Sequence, residues 1–170
     1  VAAATAYDFA DNRLVYQSPD LSGNANSFDV VNNGTKMYWL ILANDEVVEY
    51  DLSVPYDLST YSYVQSTSTS GATGDDGTSL EFSRDGTKFF IADSDAVYEF
   101  NLSTPWDVST AVSGQVNNNA EAESGGLSFS PDGTLVHLIE GGSNPDSVIQ
   151  YVLGTPWDIG SVVSNPVFPF

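Results

Sequence analysis

The sequence "TPWDVST" at residues 104–110 decides the fold, because close variants of it recur as "VPYDLST" at 54–60 and "TPWDIGS" at 155–161. The prolines lie at 55, 105 and 156, so the spacings are 50 and 51 residues. A turn motif precedes each copy ("NNGTK", "RDGTK", "PDGTL"), and an alternating segment lies between the two ("EVVEYDLS", "AVYEFNLS", "SVIQYVLG"). Three motifs that recur three times in one order indicate a repeat architecture.

Each repeat is predicted to contain strands, because apolar and polar residues alternate with a period of two. In the first alternating segment, for example, Val48 and Tyr50 flank Glu49. The predicted strands are a (27–31, 79–83, 126–130), b (36–42, 88–92, 135–140), c (46–53, 96–103, 147–154) and a weaker d (61–67, 109–116, 160–164). Four antiparallel strands in about 50 residues match the size of one β-propeller blade.

The chain is therefore predicted to be all-β, with residues 1–170 forming one partial β-propeller domain. Its repeat units lie at about 27–70, 79–118 and 125–164, and residues 5–23 are interpreted as the outer strand of a preceding blade. A closed propeller ring has about four to eight blades, so three blades and one strand are too few. We expect either a segment of a larger propeller or chains that complete one another by strand addition.

The motifs resemble those of known propeller proteins. "FSPDGT" before an apolar strand, followed by the Pro-Trp-Asp motif, is similar to the blades of TolB-like and tryptophan-aspartate-repeat proteins. Tandem repeats with both motifs also resemble parts of marine bacteriophage virion or tail proteins and bacterial surface adhesins. The resemblance covers residues 5–163 and implies a propeller fold. It implies no catalytic residue.

The composition excludes several classes of function. The chain has 23 Asp and Glu against four Lys and Arg, and its net charge of −19 repels phosphate backbones, so nucleic acid is excluded as a partner. It has no cysteine for disulfides, thiolate metal sites or a cysteine nucleophile. No apolar run has the roughly 18 residues of a membrane span. An acidic, cysteine-free chain is typical of an extracellular or virion-surface protein.

The a–b and c–d turns of a blade lie at one end, and the repeated motifs occur there. Asn-Gly and Asp-Gly pairs are expected to supply the positive φ angles of tight hairpins. The aspartate of each Pro-aromatic-Asp motif is expected to accept hydrogen bonds from backbone N–H groups just downstream. Its aromatic residue is interpreted as a lid over the outer edge of the blade. The alternative is a sugar-binding platform formed by the same side chains, Tyr56, Trp106 and Trp157.

The opposite end of the blades carries varied polar loops, which are the usual place for function on a repeated scaffold. Aspartates cluster in these loops, and carboxylate oxygens are ligands that Ca²⁺ prefers. Two interpretations stay open, a solvated acidic rim and a Ca²⁺ site. The candidate metal ligands are Asp75, Asp76, Asp93 and Asp95.

Function is predicted from these features together. We expect a non-enzymatic structural or attachment module of an extracellular or virion-surface assembly, with no cofactor other than Ca²⁺. Its expected partners are other chains, bound by strand addition, and surface glycans. The alternatives are a lectin-like glycan-binding propeller and a glycan-cleaving enzyme. His137, the single histidine, aligns with strand b and is expected to pack between blades, which argues against a Ser-His-Asp triad.

Overall fold

The computed structural model describes residues 24–70, 73, 77–94, 96–118, 126–140 and 147–163 of the 170-residue chain. They form an all-β structure of three antiparallel sheets, as the repeats predicted. The strands are β1 (Ala25–Val31), β2 (Lys36–Ile41), β3 (Glu46–Leu52), β4 (Tyr61–Ser68), β5 (Ser79–Phe82), β6 (Lys88–Ala92), β7 (Val97–Leu102), β8 (Ala111–Asn117), β9 (Leu127–Phe129), β10 (Leu135–Glu140) and β11 (Ser147–Val152). Helical structure within these ranges is confined to short 3-10 turns, and no helix there is long and apolar enough to cross a membrane.

Each sheet is a meander in which consecutive strands pair, which is the topology of a propeller blade. The first blade contains β1 to β4, the second β5 to β8 and the third β9 to β11. The first strands of neighbouring blades contact each other. The predicted fourth strand of the third blade is represented by a bridge between Leu153 and Val162. Its predicted end at residue 164, like residues 5–23, lies outside the described part of the chain.

Several predicted strand boundaries differ from the observed ones by one or two residues, and two of these differences have a local cause. Strand β8 begins at Ala111 rather than at residue 109, because Val108–Thr110 forms a 3-10 turn that Asp107 caps. Strand β2 ends at Ile41, one residue early, because Leu42–Asn44 also forms a 3-10 turn. Both turns are short and leave no periodic pattern in the sequence.

The hydrophobic core lies between the blades. We call the side of a blade that packs on the next blade its trailing face, and the opposite side its leading face. At the first joint, the trailing face of the first blade contributes Tyr38, Leu40 and Val47. The second blade contributes apolar residues from β5, β6 and β7 and from the turn before β8: Leu80, Phe82, Phe89, Ile91, Phe100, Leu102 and Val108. At the second joint, the trailing residues are Phe90, Ala92 and Val97, and the third blade contributes Leu127, Phe129, Val136, Leu138, Leu153 and Ile159. The second strand of the middle blade is apolar on both sides because a neighbouring blade buries each side.

Polar side chains of the inner strands also connect the blades. Asp29 Oδ2 accepts a hydrogen bond from Phe82 N–H at 3.2 Å. One blade further on, the Glu81 carboxylate accepts from Phe129 N–H at 3.0 and 3.1 Å. The N–H groups of β5 and β9 thus find acceptors on the preceding blade, which holds the inner strands in register.

Candidate functional site

The Pro-aromatic-Asp motifs fold as the sequence predicted at the aspartate. The side chain of each aspartate accepts a hydrogen bond at 3.0 Å from the backbone N–H two residues downstream, in the order Asp57 to Ser59, Asp107 to Ser109 and Asp158 to Gly160. Each aspartate thereby caps a 3-10 turn. This bond satisfies an N–H group that the short turn leaves without a partner.

The aromatic residues of the motifs have a conformation that the sequence did not predict. Their φ angles are positive, 63° at Tyr56, 67° at Trp106 and 60° at Trp157. In this left-handed conformation, each backbone N–H donates at 2.9 Å to the carbonyl of the glycine in the a–b turn of the same blade. The two turns at one end of a blade are therefore tied together.

The aromatic rings do not cover the outer edge of the blade, so the prediction of their position is wrong. Each ring lies over the glycine of its own a–b turn, so closely that a Cβ at Gly34, Gly86 or Gly133 would overlap it. Trp106 also stacks on Phe82, at 6.0 Å between ring centroids. Trp106 is half-buried, whereas Tyr56 is 67% exposed.

The structure places the three candidate sugar-binding residues on three separate blades. Tyr56, Trp106 and Trp157 each cover a glycine of their own blade and do not form one platform. Trp157 packs on Phe129 at 4.9 Å between ring centroids. Ligand binding by these residues stays a prediction.

The tight a–b turns have a positive φ at their glycines in all three blades, as predicted: 80° at Gly34, 71° at Gly86 and 71° at Gly133. In the first blade, Asn32 and Asn33 also have positive φ, whereas in the a–b turns of the other blades positive φ occurs only at the glycine.

In the second and third blades, the aspartates that precede these glycines act through their side chains instead. Asp132 Oδ1 accepts from Ser130 Oγ at 2.6 Å and from Thr134 Oγ1 at 2.8 Å, and these bonds lower the pKa of Asp132 to about 2.

The candidate metal ligands are mostly outside the described residues, which include Asp93 but not Asp75, Asp76 or Asp95. Asp93 is buried, and its Oδ1 accepts from Ala96 N–H at 2.8 Å within its own loop. Over the described ranges, no group of three or more His, Cys, Asp or Glu side chains is placed to hold a metal ion. The Ca²⁺ site stays a prediction.

A buried carboxylate organises the first joint between blades. Glu49 is 2% exposed and accepts from Lys36 Nζ at 2.5 Å and from Gln65 Nε2 at 2.8 Å within its own blade. It also accepts from Val108 N–H of the second blade at 3.2 Å. Next to it, Tyr38 Oη donates to the Trp106 carbonyl at 2.5 Å. The capped turn of the second blade is thus held by hydrogen bonds from the trailing face of the first.

The second joint repeats this arrangement with different donors. Lys88 Nζ binds Glu99 Oε1 at 2.8 Å and donates to the Trp157 carbonyl at 2.9 Å. Phe90 occupies the position of Tyr38 and has no hydroxyl, so the lysine supplies the bond to the tryptophan carbonyl. Glu99 Oε2 is buried without a hydrogen-bond partner among the described residues. In both joints a side chain of the preceding blade donates one hydrogen bond to the carbonyl of the left-handed aromatic residue.

The corresponding trailing face of the third blade is exposed. Ile139 is 41% exposed and Val148 is 71% exposed, whereas their counterparts at the second joint, Ala92 and Val97, are 0% and 2% exposed. His137, which the sequence predicted to pack between blades, lies half-buried on this face. Its ring nitrogens are 3.3 Å from the Ser128 carbonyl and 3.0 Å from Gln150 Oε1.

A cavity of about 420 Å³ lies where the inner strands reach the a–b turns. Asp29, Glu81 and Arg84 line it together with aromatic side chains, among them Phe129 and Trp157. Burial, with a smaller contribution from the charge of Asp29, raises the pKa of Glu81 to about 7. The sequence pattern did not reveal this cavity, because the varied loops that suggest function lie at the opposite end of the blades. The sequence signal for it was an acidic residue in the middle of a largely apolar inner strand, Asp29 in β1 and Glu81 in β5.

The raised pKa of Glu81 predicts how the stability of the protein changes with pH. Folded Glu81 holds a proton that the unfolded chain, with an ordinary glutamate pKa of about 4.3, releases. The folded state therefore binds more protons between about pH 4.3 and 7, and its stability is lost as the pH rises through this interval. Glu81→Gln should remove this loss, so its advantage over the wild type should grow by about 1–2 kcal/mol across the interval, allowing for partial exposure.

Urea unfolding at pH 4.5 and pH 7.5 measures this difference. Asp132→Asn is the matched control, because the exposed Asp132 carboxylate has a pKa of about 2 and is ionised at both pH values. A Glu81→Gln advantage that is equal at both pH values would contradict the assignment.

Comparisons with known proteins show the fold and no family. No protein-family model matches the sequence, and neither does any curated protein. The chain is similar to the crystal structures of a "putative 6-phosphogluconolactonase" from Bacteroides fragilis (10% identity, TM-score 0.56) and another from Bacteroides uniformis (13% identity, TM-score 0.57). It is also similar to Sqt1 from Chaetomium thermophilum bound to the N-terminus of the ribosomal protein L10 (15% identity, TM-score 0.52). The three alignments cover 80%, 82% and 81% of this chain, but 35%, 39% and 35% of those proteins.

These similarities confirm the all-β, propeller-like fold. They contradict the prediction of a non-enzymatic structural or attachment module of a surface assembly, since two of the matching proteins are named as lactonases and those named above include no adhesin or phage tail protein. The same fold occurs in proteins named as enzymes and in a protein that binds another protein. At these identities, the comparisons show the fold alone.

Proposed function

We propose that this chain is a protein-binding propeller segment whose binding surface is the trailing face of its third blade. The observation that carries the proposal is the exposure of Ile139 and Val148, at positions where both preceding blades bury apolar side chains against a neighbour. Exposed apolar side chains at positions that are buried elsewhere in the repeat indicate a protein-binding surface. That Sqt1 is seen bound to a segment of L10 supports the proposal, since the fold can bind protein.

The electrostatics of the face support a polypeptide partner. Three positions that carry charge in the first and second blades are uncharged in the third: Leu135 stands in place of Lys36 and Lys88, Gln150 in place of Glu49 and Glu99, and Ser128 in place of Asp29 and Glu81. Covering an uncharged face costs less desolvation free energy than covering ion pairs. An acidic chain can thus bind a partner here without a large electrostatic penalty.

Site-specific labelling tests the proposal, because the chain has no native cysteine. Val148→Cys places a thiol on the trailing face, and Val112→Cys places one on β8, where Val112 is 67% exposed. The matched pair is treated with a maleimide, once as purified protein at low concentration and once in an extract of cells that express the protein. We expect the cysteine at 148 to react about tenfold more slowly in the extract and the cysteine at 112 to react equally in both. Equal rates for the cysteine at 148 would contradict protein binding at this face.

A second candidate function is hydrolysis of a small neutral lactone in the cavity of the inner strands. It is favoured by Glu81, a carboxylate with a pKa of about 7 in a cavity that Arg84 also lines. A protein named as a "putative 6-phosphogluconolactonase" has a similar fold. Glu81 would take a proton from the attacking water and return it to the alkoxide released from the ring. The net charge of −19 disfavours a phosphorylated substrate. Hydrolysis of glucono-δ-lactone that rises with pH through about 7 and is lost in Glu81→Gln would support it; turnover equal to the uncatalysed rate would exclude it.

A further inference from the structure

We infer that the cavity of the inner strands is a binding site for a free amino acid with an apolar side chain. The inference goes beyond the protein-binding function and gives the cavity a ligand other than the neutral lactone. The cavity volume of about 420 Å³ falls within the range of roughly 300–1,000 Å³ for small-molecule sites. Its lining combines two carboxylic acids, one guanidinium group and several aromatic rings. These groups are complementary to the ammonium group, the carboxylate and the side chain of such a ligand.

Two half-buried carboxylic acids provide the negative charge of the cavity. Asp29 accepts from Phe82 N–H at 3.2 Å, and Glu81 accepts from Phe129 N–H at 3.0 and 3.1 Å. Burial raises the pKa of both side chains, and the charge of Asp29 adds to the effect on Glu81. Within the described ranges, neither carboxylate has an ion pair. An ammonium group bound beside them would therefore stabilise their ionised forms.

The positive charge lines the same cavity without pairing with these carboxylates. Arg84 follows β5, is exposed and makes no ion pair with any described residue. Lys36 and Lys88, the other cations of the described part of the chain, are both paired with glutamates. Since Asp29 and Glu81 do not neutralise Arg84 across the cavity, its guanidinium group is available to bind a carboxylate of a ligand. A zwitterion complements both signs of charge, and the net charge of −19 does not repel a neutral molecule.

Aromatic rings provide the apolar part of the site. Phe129 is buried and packs on the half-buried Trp157 at 4.9 Å between ring centroids, and both line the cavity. Phe28, which is 62% exposed, also lines it. The side chain of a bound amino acid would cover part of these rings, and aromatic faces also attract an ammonium group. The rings therefore favour an amino acid with an apolar side chain over a small polar zwitterion.

Calorimetric titration of the full chain with L-phenylalanine and two truncated analogues tests this inference. Phenylethylamine has the ammonium group and the ring but no carboxylate, whereas phenylpropanoate has the carboxylate and the ring but no ammonium group. The titrations are made near pH 8, above the pKa of about 7 of Glu81. We expect L-phenylalanine to bind about tenfold or more tightly than either analogue, since each lacks one charged hydrogen-bonding group. No heat with millimolar L-phenylalanine, or equal affinities for all three compounds, would overturn the inference.

Two conservative variants test which end of the ligand each charge binds. Arg84→Gln should weaken L-phenylalanine and phenylpropanoate about tenfold and leave phenylethylamine unchanged. Asp29→Asn should weaken L-phenylalanine and phenylethylamine and leave phenylpropanoate unchanged, and its amide oxygen can still accept from Phe82 N–H. Asp51→Asn is the matched control, because Asp51 is 53% exposed and does not line the cavity, and it should change none of the affinities. Equal losses for all three compounds in both cavity variants would contradict this placement of the charges.

The outcomes are distinct from those of the two proposed functions. A bound amino acid should inhibit any hydrolysis of glucono-δ-lactone, since both would occupy one cavity. If the lactone is hydrolysed at a rate that saturating L-phenylalanine does not change, this inference fails and the hydrolytic function stands. Protection of the cysteine at 148 in the cell extract does not involve the cavity and tests protein binding alone.

Discussion

Replacing Gly86 with alanine is expected to lower the free energy of unfolding by about 3 kcal/mol or more. Gly86 has a φ angle of 71°, a conformation that costs an alanine about 1 kcal/mol or more. The added Cβ would also overlap the indole of Trp106, which lies over the glycine and packs on Phe82. Because the Gly86 carbonyl accepts from Trp106 N–H, moving the ring also disturbs the bond that joins the two turns. Urea unfolding monitored by tryptophan fluorescence measures the loss.

Two further variants show whether the overlap is the cause. Gly160→Ala is the matched control, because Gly160 is exposed, has no positive φ and stands where the other repeats have Ser59 and Ser109; it should change stability by about 0.5 kcal/mol or less. In the background of Trp106→Ala, the Gly86→Ala substitution should cost only the conformational part, about 1 kcal/mol. If Gly86→Ala lowers the free energy of unfolding equally with and without the Trp106 side chain, overlap with the indole is not the cause of the loss.

Replacing Glu49 with alanine is expected to cost about 3–5 kcal/mol, since removal of one partner leaves buried polar groups uncompensated. Lys36 Nζ, Gln65 Nε2 and Val108 N–H would all lose an acceptor at a position that is 2% exposed. The last of these belongs to the second blade, so the effect should spread across the joint. Hydrogen exchange at Val108 N–H should accelerate together with the fall in stability.

Asp51→Ala is the matched control for Glu49→Ala. Asp51 binds the same lysine, at 2.8 Å from Lys36 Nζ, but its side chain is 53% exposed. An exposed ion pair contributes about 0–1 kcal/mol, so the control should be nearly neutral. Similar losses for both variants would mean that the lysine charge, rather than the buried acceptor at the joint, determines the stability.

The repeated motifs were sufficient to predict the fold and part of the turn chemistry. Period-two alternation predicted the strands of each blade, because a strand exposes alternate residues to opposite faces. The capping role of Asp107 was also predictable, since the bond to Ser109 N–H is made within two residues. The left-handed conformation of Trp106 was not, because it depends on the Gly86 carbonyl, twenty residues away in sequence.

The carboxylates that the structure places at the joints and in the cavity were not predicted from the sequence. The residues predicted to bind a metal are in the varied loops, and Asp75 and Asp76 lie outside the described residues. Glu81 and Glu49 stood in strands and looked like the polar members of an alternating pattern. Their role depends on the neighbouring blade, which supplies Phe129 N–H to the half-buried Glu81 and Val108 N–H to the buried Glu49.

The sequence by itself determined the all-β blades and their order, because strand periodicity and capped turns depend on residues that are close along the chain. Only the tertiary structure decided which faces are covered. Packing between blades brings together residues about fifty positions apart, as when Tyr38 Oη reaches the Trp106 carbonyl. A local pattern looks the same whether or not a neighbour covers it. Val97 and Val148 stand at the same point of the repeat, yet the first is 2% exposed and the second 71%.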